Sequence, residues 1–86
     1  MNRPETLIEN LTFDDIHLGQ TARLHHHLTL DDIKAFALVS GDVNPAHVDA
    51  QYAEGTRFHQ VIAHGMWAGA LISRLLGTEF PGPGTI

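Results

Sequence analysis

The spacing of apolar residues predicts a strand followed by a helix near the start of this chain. In residues 20–28 the apolar side chains fall on alternate positions, which is typical of a half-buried strand. In residues 30–40 they recur at helical spacing. Thr29 is a good N-cap, two acidic residues suit the first turn, and Gly41 supplies a stop. We therefore expect an amphipathic helix over residues 30–40.

A second, longer helix is predicted for residues 63–76, ending at Gly77. Apolar residues surround this helix, so we expect it to be buried. A buried helix needs other elements wrapped around it, and one strand is not enough. We therefore expect most of the enclosing sheet to be missing from these 86 residues. The sequence further predicts a loop at residues 41–49 and a short helical turn at residues 50–54. Near the end it predicts a rigid turn at residues 81–84 and the start of another strand at residues 85–86.

Composition and charge exclude several classes of function. The formal net charge is −5 and the five Lys and Arg residues are scattered, so we expect no binding of nucleic acid. Cysteine is absent, which excludes disulfides and thiolate zinc sites. The sequence shows neither a secretory signal nor an apolar run long enough for a bilayer, so we expect a cytoplasmic protein that does not bind membranes.

The loop after the first helix carries the densest group of chemically active residues. Asp42 and His47 are five positions apart on a turning segment and can face one another. A carboxylate and an imidazole that share a water can take its proton and return a proton elsewhere, which is general acid–base chemistry. The alternative is structural, because Asp42 and Asn44 can also bond local backbone N–H groups as ordinary turn residues.

Three further groups have candidate roles. The Gly65 N–H, at the predicted helix start beside His64, can polarise a carbonyl, although a glycine there also serves close packing. Histidines 25–27 suggest a metal, but alternate strand residues face opposite ways and no third ligand has a familiar spacing. We therefore expect no metal site. A serine in the middle of a helix, Ser73, is usually a packing residue bonded to its own helix.

Four blocks of sequence, in this order, resemble the MaoC-like (R)-specific enoyl-CoA hydratases. They run from Ser40 to Asp49, from Ala63 to Met66, from Leu71 to Ser73, and from Leu76 through the Pro-Gly turn to Ile86. The resemblance implies an α+β hot-dog fold, in which a curved sheet wraps a long central helix. It places residues 13–86 in the N-terminal portion of such a domain, behind a leader of residues 1–12.

The resemblance also implies a reaction and a set of site residues. Asp42 and His47 would activate water for reversible hydration of a trans-2-enoyl-CoA to an (R)-3-hydroxyacyl-CoA. The Gly65 N–H would polarise the thioester carbonyl. Supporting roles fall to three further residues, Asn44, Ser73 and His64. No cofactor is expected, because the coenzyme A thioester is itself the substrate.

The resemblance also implies further domains and partners for the whole protein. The leader and Met66-Trp67 are similar to a subgroup in which a phosphate acyltransferase domain follows the hydratase domain. Family members imply a homodimer or a higher homo-oligomer. Two rival functions stay open at this point, a hot-dog thioesterase and a non-catalytic acyl-CoA-binding domain. Because the acyl tunnel and most of the sheet lie beyond residue 86 in the family, we expect residues 1–86 alone to be poorly folded, associated or inactive.

Overall fold

The structure is a computed structural model that describes residues 8–85. The chain divides into two compact units. The central unit is His26–Ala68, and the terminal unit combines Met1–His25 with Gly69–Ile86. Residues 1–7 of the predicted leader and Ile86 of the predicted final strand lie outside the described residues.

The first predicted helix is confirmed as α1, Leu30–Ser40. The Thr29 hydroxyl accepts a hydrogen bond from the Asp32 N–H at 3.1 Å, and the Asp32 carboxylate accepts one from the Thr29 N–H at 3.0 Å. This reciprocal capping box satisfies two backbone donors that the helix start leaves unpaired. At the other end Gly41 has φ of +78°, a left-handed conformation that glycine adopts without steric cost.

Two short helices follow α1, whereas the sequence predicted a loop before the second of them. Helix α2, Pro45–Val48, begins because proline suits the first helical position and the Asn44 side chain accepts from the Ala46 N–H at 2.9 Å. Helix α3, Ala50–Glu54, lies where the sequence predicted a short helical turn before Gly55. The prediction of a loop over residues 41–49 is therefore wrong for its second half.

The central unit has a small core between its helices. Helix α1 packs against α2, and α2 packs against α3. The segment after α3 returns to α2, where the Ile62 N–H donates to the Ala46 carbonyl at 3.2 Å. The buried residues are three small or aliphatic side chains and one imidazole, namely Ile33, Ala37, Ala53 and His64.

The second long helix is shorter than predicted. Helix α4 covers Trp67–Arg74 and continues as a π-helix over Leu75–Glu79. It begins late because residues before Trp67 form a turn, in which the Trp67 N–H donates to the His64 carbonyl at 3.0 Å. Near its end the Thr78 hydroxyl donates to the Arg74 carbonyl at 2.6 Å and so competes for an acceptor of the helical ladder. Gly77, the predicted stop, lies inside the π-helix.

The expected burial of this helix is wrong for this chain. No residue of α4 is buried, and the Ile72 side chain is 60% exposed. No strand forms anywhere in residues 8–85, so no sheet covers the helix. The predicted strand over residues 20–28 has no regular structure, because a strand is stable only when its backbone pairs with a neighbour. Only Ala22 and Leu24 of its apolar side are half-buried.

The terminal unit is held by contacts between its two segments. The Leu11 N–H donates to the Pro81 carbonyl at 2.7 Å, and the Asn10 side chain accepts from the Gly84 N–H at 2.6 Å. Short 3-10 helices occur at Phe13–Asp15 and Pro83–Thr85, so the strand predicted to begin at residue 85 is not observed there. Within residues 8–85, no helix has both the length and the apolar character needed to cross a membrane.

Candidate active site

Asp42 lies in the open turn between α1 and α2. Its N–H donates to the Ser40 hydroxyl at 3.1 Å, and its Oδ1 accepts from the Asn44 N–H at 3.2 Å. The structural alternative considered from the sequence is thus present, since Asp42 does stabilise its own turn. The side chain is nevertheless exposed, and an ionised carboxylate accepts several hydrogen bonds. Asp42 can therefore stabilise its turn and still accept a proton or a hydrogen bond from a water molecule.

His47 is half-buried on α2, and its ring is fixed by a bond to the backbone. Its Nδ1 lies 2.8 Å from the carbonyl oxygen of Ile62. Because a carbonyl only accepts hydrogen bonds, Nδ1 carries the proton, and in the neutral ring Nε2 carries the lone pair. Asn44 contributes to this arrangement by starting the helix on which His47 lies. His47 therefore presents a proton acceptor in a set orientation.

His64 is a buried side chain that contacts both of these residues. It is 4% exposed, and its ring stacks on the His47 ring with centroids 3.8 Å apart and planes inclined by 23°. Its Nε2 lies 2.8 Å from the Asp42 carbonyl oxygen, to which it donates. The Phe36 ring also packs against His64, with centroids 4.9 Å apart. His64 thus contacts both members of the predicted pair, and the supporting role that the resemblance gives to it stays a prediction.

The three polar side chains form one cluster. A carboxylate oxygen of Asp42, a ring nitrogen of His47 and a ring nitrogen of His64 all lie within 4.8 Å of one another. Two groups at that separation can both reach one water, because each hydrogen bond spans about 2.8–3.0 Å. The geometry therefore permits the shared-water chemistry that the spacing of Asp42 and His47 suggested.

A cavity of about 430 Å³ opens beside this cluster, lined by Phe36, Ser40, Asp42, His64, Gly65 and Met66. Gly65 is exposed and lies two residues before α4, not at the helix start where the sequence placed it. Its N–H has no hydrogen-bond partner among residues 8–85. A Cβ added at Gly65 would meet no atom within 4 Å. Gly65 therefore brings an unpaired backbone donor to the cavity lining, and such a donor can stabilise charge on a carbonyl oxygen.

Ser73 belongs to the terminal unit. Its side chain is exposed on α4, where it helps to line a groove of about 350 Å³. The other residues of this groove are small or aliphatic apart from one threonine: Gly69, Ile72, Leu76, Gly77 and Thr85. The supporting role that the resemblance gives to Ser73 stays a prediction.

Sequence reasoning missed the aromatic wall of the site. Phe36 is one of the apolar residues of the predicted helix over residues 30–40, and in the structure it is half-buried and lines the cavity beside His64. The Trp67 ring packs edge-on against Phe36 at 5.8 Å, and the His26 ring against Trp67 at 5.4 Å. The pattern of apolar positions placed Phe36 on the inner face of α1, but no local signal showed that this face borders a cavity.

Among residues 8–85, the two carboxylates with a shifted pKa, Asp15 and Asp32, both lie at helix caps. The side-chain hydrogen bond from His26, at 2.9 Å, and the backbone N–H of Thr29 lower the pKa of Asp32 below 3.8. Hydrogen bonds from the backbone and hydroxyl of Thr12 lower the pKa of Asp15 in the same way. The hydrogen bond to Asp32 also places one of the three consecutive histidines, His26, at the cap of α1.

The helices and the cavity define a class of protein in which a carboxylate, an imidazole and an unpaired backbone N–H line one cavity, here from Asp42, His64 and Gly65. Within that class the chain belongs to the family described as MaoC like domain, which it matches over residues 15–85. The match covers α1, α2, α3 and α4, and it contains Asp42, His47 and Gly65.

The chain is similar to hydratases and dehydratases of known name. It is 50% identical over 74 residues to the (R)-specific enoyl-CoA hydratase of Rhodospirillum rubrum, covering 86% of this chain and 51% of the relative. It is 41% identical over 76 residues to the 3-hydroxybutyryl-CoA dehydratase of Methylorubrum extorquens, covering 88% of this chain and 48% of the relative. The chain thus spans about half the length of these curated relatives.

A solved structure supports the fold prediction. The unliganded R-hydratase of Pseudomonas aeruginosa superposes with a TM-score of 0.87 at 45% identity, over 90% of this chain and 50% of that chain. The chain therefore has the fold of the N-terminal portion of a hot-dog hydratase, as the sequence predicted. The relatives named above carry no acyltransferase in their names, so the predicted fusion stays a prediction.

Proposed function

We propose that the protein that contains this site catalyses the reversible hydration of trans-2-enoyl-CoA to (R)-3-hydroxyacyl-CoA. The observation that carries the proposal is the orientation of His47. Its Nδ1 donates to the Ile62 carbonyl, so its Nε2 lone pair is free, and a ring nitrogen lies within 4.8 Å of the Asp42 carboxylate. The names of relatives that are 41–50% identical support the same reaction.

The reaction follows from these groups. Asp42 and the Nε2 of His47 hold one water between them, and His47 takes a proton from it as the water oxygen bonds to C3 of the enoyl group. The carbon–carbon double bond opens, and negative charge moves towards the thioester oxygen, where the Gly65 N–H stabilises it. The acid–base pair returns one proton to C2. Hydrogen and hydroxyl are added across the double bond, and nothing is oxidised or reduced.

The test uses the chain itself and a chimera, in which the chain is joined to the C-terminal half of the P. aeruginosa R-hydratase. We refer to this fusion as the completed chimera. The measurement is the loss of enoyl absorbance from crotonyl-CoA. We expect Asp42→Asn and His47→Gln each to lower kcat of the chimera by roughly 10²–10⁴-fold, the range for removing an acid–base group. Near wild-type turnover in both folded variants would falsify the proposal.

Matched controls separate chemistry from stability. Asp49→Asn alters a nearby carboxylate but keeps the cap of α3, because asparagine is also a good N-cap. His59→Gln alters an exposed histidine outside the cluster. Both should leave turnover unchanged. A thiol reagent in the same assay detects released coenzyme A, which identifies a thioesterase. Binding of crotonyl-CoA without turnover identifies a non-catalytic acyl-CoA-binding domain.

The partners predicted from the sequence remain part of this proposal. An acyl-CoA is the proposed substrate, supported by relatives whose names specify enoyl-CoA and 3-hydroxybutyryl-CoA. A homodimer or higher homo-oligomer is proposed for the complete protein, and sedimentation of the chimera tests it. The cytoplasmic location stays a prediction, which imaging of a tagged full-length protein would test.

A further inference from the structure

The proposed mechanism leaves one buried nitrogen unused. His64 is 4% exposed, and its Nε2 donates to the Asp42 carbonyl at 2.8 Å. In the neutral ring, Nδ1 therefore carries a lone pair. This Nδ1 is buried and has no hydrogen-bond partner among the described residues. A buried polar atom without a partner costs free energy, which a ligand that accepts its lone pair would recover.

The neighbours of His64 supply the other ligands that a metal ion needs. One carboxylate oxygen of Asp42 and one ring nitrogen each of His47 and His64 lie within 4.8 Å of one another. Two imidazoles and a carboxylate are a known donor set of zinc sites that keep an open position. In a tetrahedral zinc site with Zn–N near 2.0–2.1 Å, ligand atoms lie about 3.4 Å apart. Binding an ion therefore requires the ligand atoms to close from within 4.8 Å of one another, and it requires the stacked rings of His47 and His64 to turn apart so that both lone pairs point at the ion.

The outer contacts of both histidines are also those of metal ligands. A ligating histidine commonly donates its other ring N–H to a backbone carbonyl, which fixes the ring. The Nδ1 of His47 donates to the Ile62 carbonyl, and the Nε2 of His64 donates to the Asp42 carbonyl. Asp42 adds a negative charge to the cluster, and the whole chain has a formal charge of −5, both of which favour a cation.

We propose that Asp42, His47 and His64 form a Zn²⁺ site, and that the ion inhibits the enzyme reversibly by displacing the catalytic water. The sequence predicted no metal because only the three consecutive histidines suggested one. The binding step stands on the cluster geometry alone. The inhibition rests on the proposed hydratase function, because the ion would occupy the carboxylate and imidazole that activate water.

The binding test titrates the completed chimera with Co²⁺, a spectroscopic stand-in for Zn²⁺, and follows visible absorbance. Competition with Zn²⁺ then gives the affinity for Zn²⁺. The chimera is used because residues 1–86 alone are expected to fold poorly. We expect one ion per chain, with Mg²⁺ and Ca²⁺ failing to compete because they prefer oxygen ligands. His47→Gln, His64→Gln and Asp42→Asn should each weaken binding by at least about tenfold, since even removal of an outer contact costs roughly 10–100-fold.

The exposed histidines 25–27 are the rival metal site and provide the control. The double variant His25→Gln, His27→Gln leaves the His26–Asp32 pair in place and should keep the affinity of the wild type. Circular dichroism checks each variant, and Asp42→Asn, at an exposed position, decides the result if a histidine variant unfolds. Absence of Co²⁺ binding by the folded wild-type chimera, or loss of binding only in the double variant, overturns the proposal.

Inhibition is measured separately in the completed chimera. At Zn²⁺ equal to ten times its dissociation constant, hydration of crotonyl-CoA should fall about tenfold by mass action, and a chelator should restore it. The double variant at residues 25 and 27 should be inhibited equally. Full activity with Zn²⁺ bound overturns the inhibitory role. A chimera that binds Zn²⁺ but never hydrates crotonyl-CoA contradicts the proposed function and leaves the metal site supported.

Discussion

The Nε2 of His64 donates a hydrogen bond of 2.8 Å to the carbonyl oxygen of Asp42, joining residues 22 positions apart in the sequence. The bond ties the turn that carries the carboxylate to the segment that carries Gly65. The stacking of His64 on His47, at 3.8 Å, brings the imidazole into the same unit. One buried side chain thus sets the positions of the proposed proton acceptors and of the proposed carbonyl donor.

The first prediction concerns this bond. His64→Phe keeps an aromatic ring against His47 but removes the donor, so Asp42 is held less firmly. We expect the completed chimera to lose on the order of 0.5–1.5 kcal/mol of stability, the net value of one hydrogen bond, and to lose kcat. Urea denaturation and crotonyl-CoA kinetics measure the two effects.

The matched variant is His64→Gln, whose amide N–H can replace the donor while the ring is lost. Partial recovery of kcat relative to His64→Phe would identify the hydrogen bond as the contribution of His64 to positioning. Equal losses in both variants would instead assign that contribution to the stacked ring.

The contrast between α1 and this site shows what sequence alone can specify. Helix α1 was predicted to the residue because its signals are local, namely the Thr29 cap, the Asp32 side chain and Gly41. The bond from His64 to Asp42 joins distant segments, and no local pattern encodes it. Asp42 and His47 were identified because they are neighbours in sequence and match a family motif.

The failures of prediction have a related cause. The apolar pattern of residues 63–76 indicated a helix but not its ends, because a turn at His64 and hydroxyl bonds near Arg74 determine them. The alternation in residues 20–28 indicated a strand, yet strand formation depends on a pairing partner that the pattern does not contain. Both patterns describe which side chains favour burial, and burial depends on the rest of the fold.

A second prediction tests the role of Gly65. Because a Cβ there meets no atom within 4 Å, Gly65→Ala should leave stability nearly unchanged. The added methyl group projects into the space that a thioester must enter, so kcat/KM for crotonyl-CoA should fall roughly tenfold or more, towards the 10²–10³-fold seen when an oxyanion donor is removed. Steady-state kinetics of the chimera provide the measurement.

Gly77→Ala is the control for this substitution. A Cβ at Gly77 also meets no atom within 4 Å, and the residue lies in the π-helix of the terminal unit. We expect Gly77→Ala to leave kcat/KM for crotonyl-CoA unchanged. An equal loss of kcat/KM in both variants would mean that the effect at Gly65 is not local to the site.

A third prediction addresses the start of α1, the helix that carries Phe36 and Ser40 into the cavity wall. Thr29→Ala removes the hydroxyl that accepts from the Asp32 N–H, and loss of such a cap typically costs about 1 kcal/mol. Thr29→Ser retains the hydroxyl and should retain most of the stability. The urea midpoints of the two variants, measured at neutral pH, test this cap. Equal midpoints would contradict a capping role for the Thr29 hydroxyl.

The fourth prediction concerns acid. Hydrogen bonds from the His26 side chain and the Thr29 backbone lower the pKa of folded Asp32 below its ordinary value of 3.8. A carboxyl group whose pKa is depressed by folding contributes stability that is complete above the unfolded pKa and is lost as pH falls through the folded pKa. The stability that Asp32 contributes should therefore be lost as the pH falls from 3.8, the ordinary pKa, to the lowered pKa of the folded protein.

The measurement compares urea midpoints of the wild-type chimera and Asp32→Asn from neutral pH to below this interval. The substituted asparagine cannot ionise, so the difference between the two proteins should shrink as Asp32 of the wild type becomes protonated. Asp31→Asn, at the adjacent first-turn position outside the capping box, should follow the pH dependence of the wild type. A difference that stays constant, or one that Asp31→Asn reproduces, would show that the bonds to His26 and Thr29 do not link this carboxylate to folding.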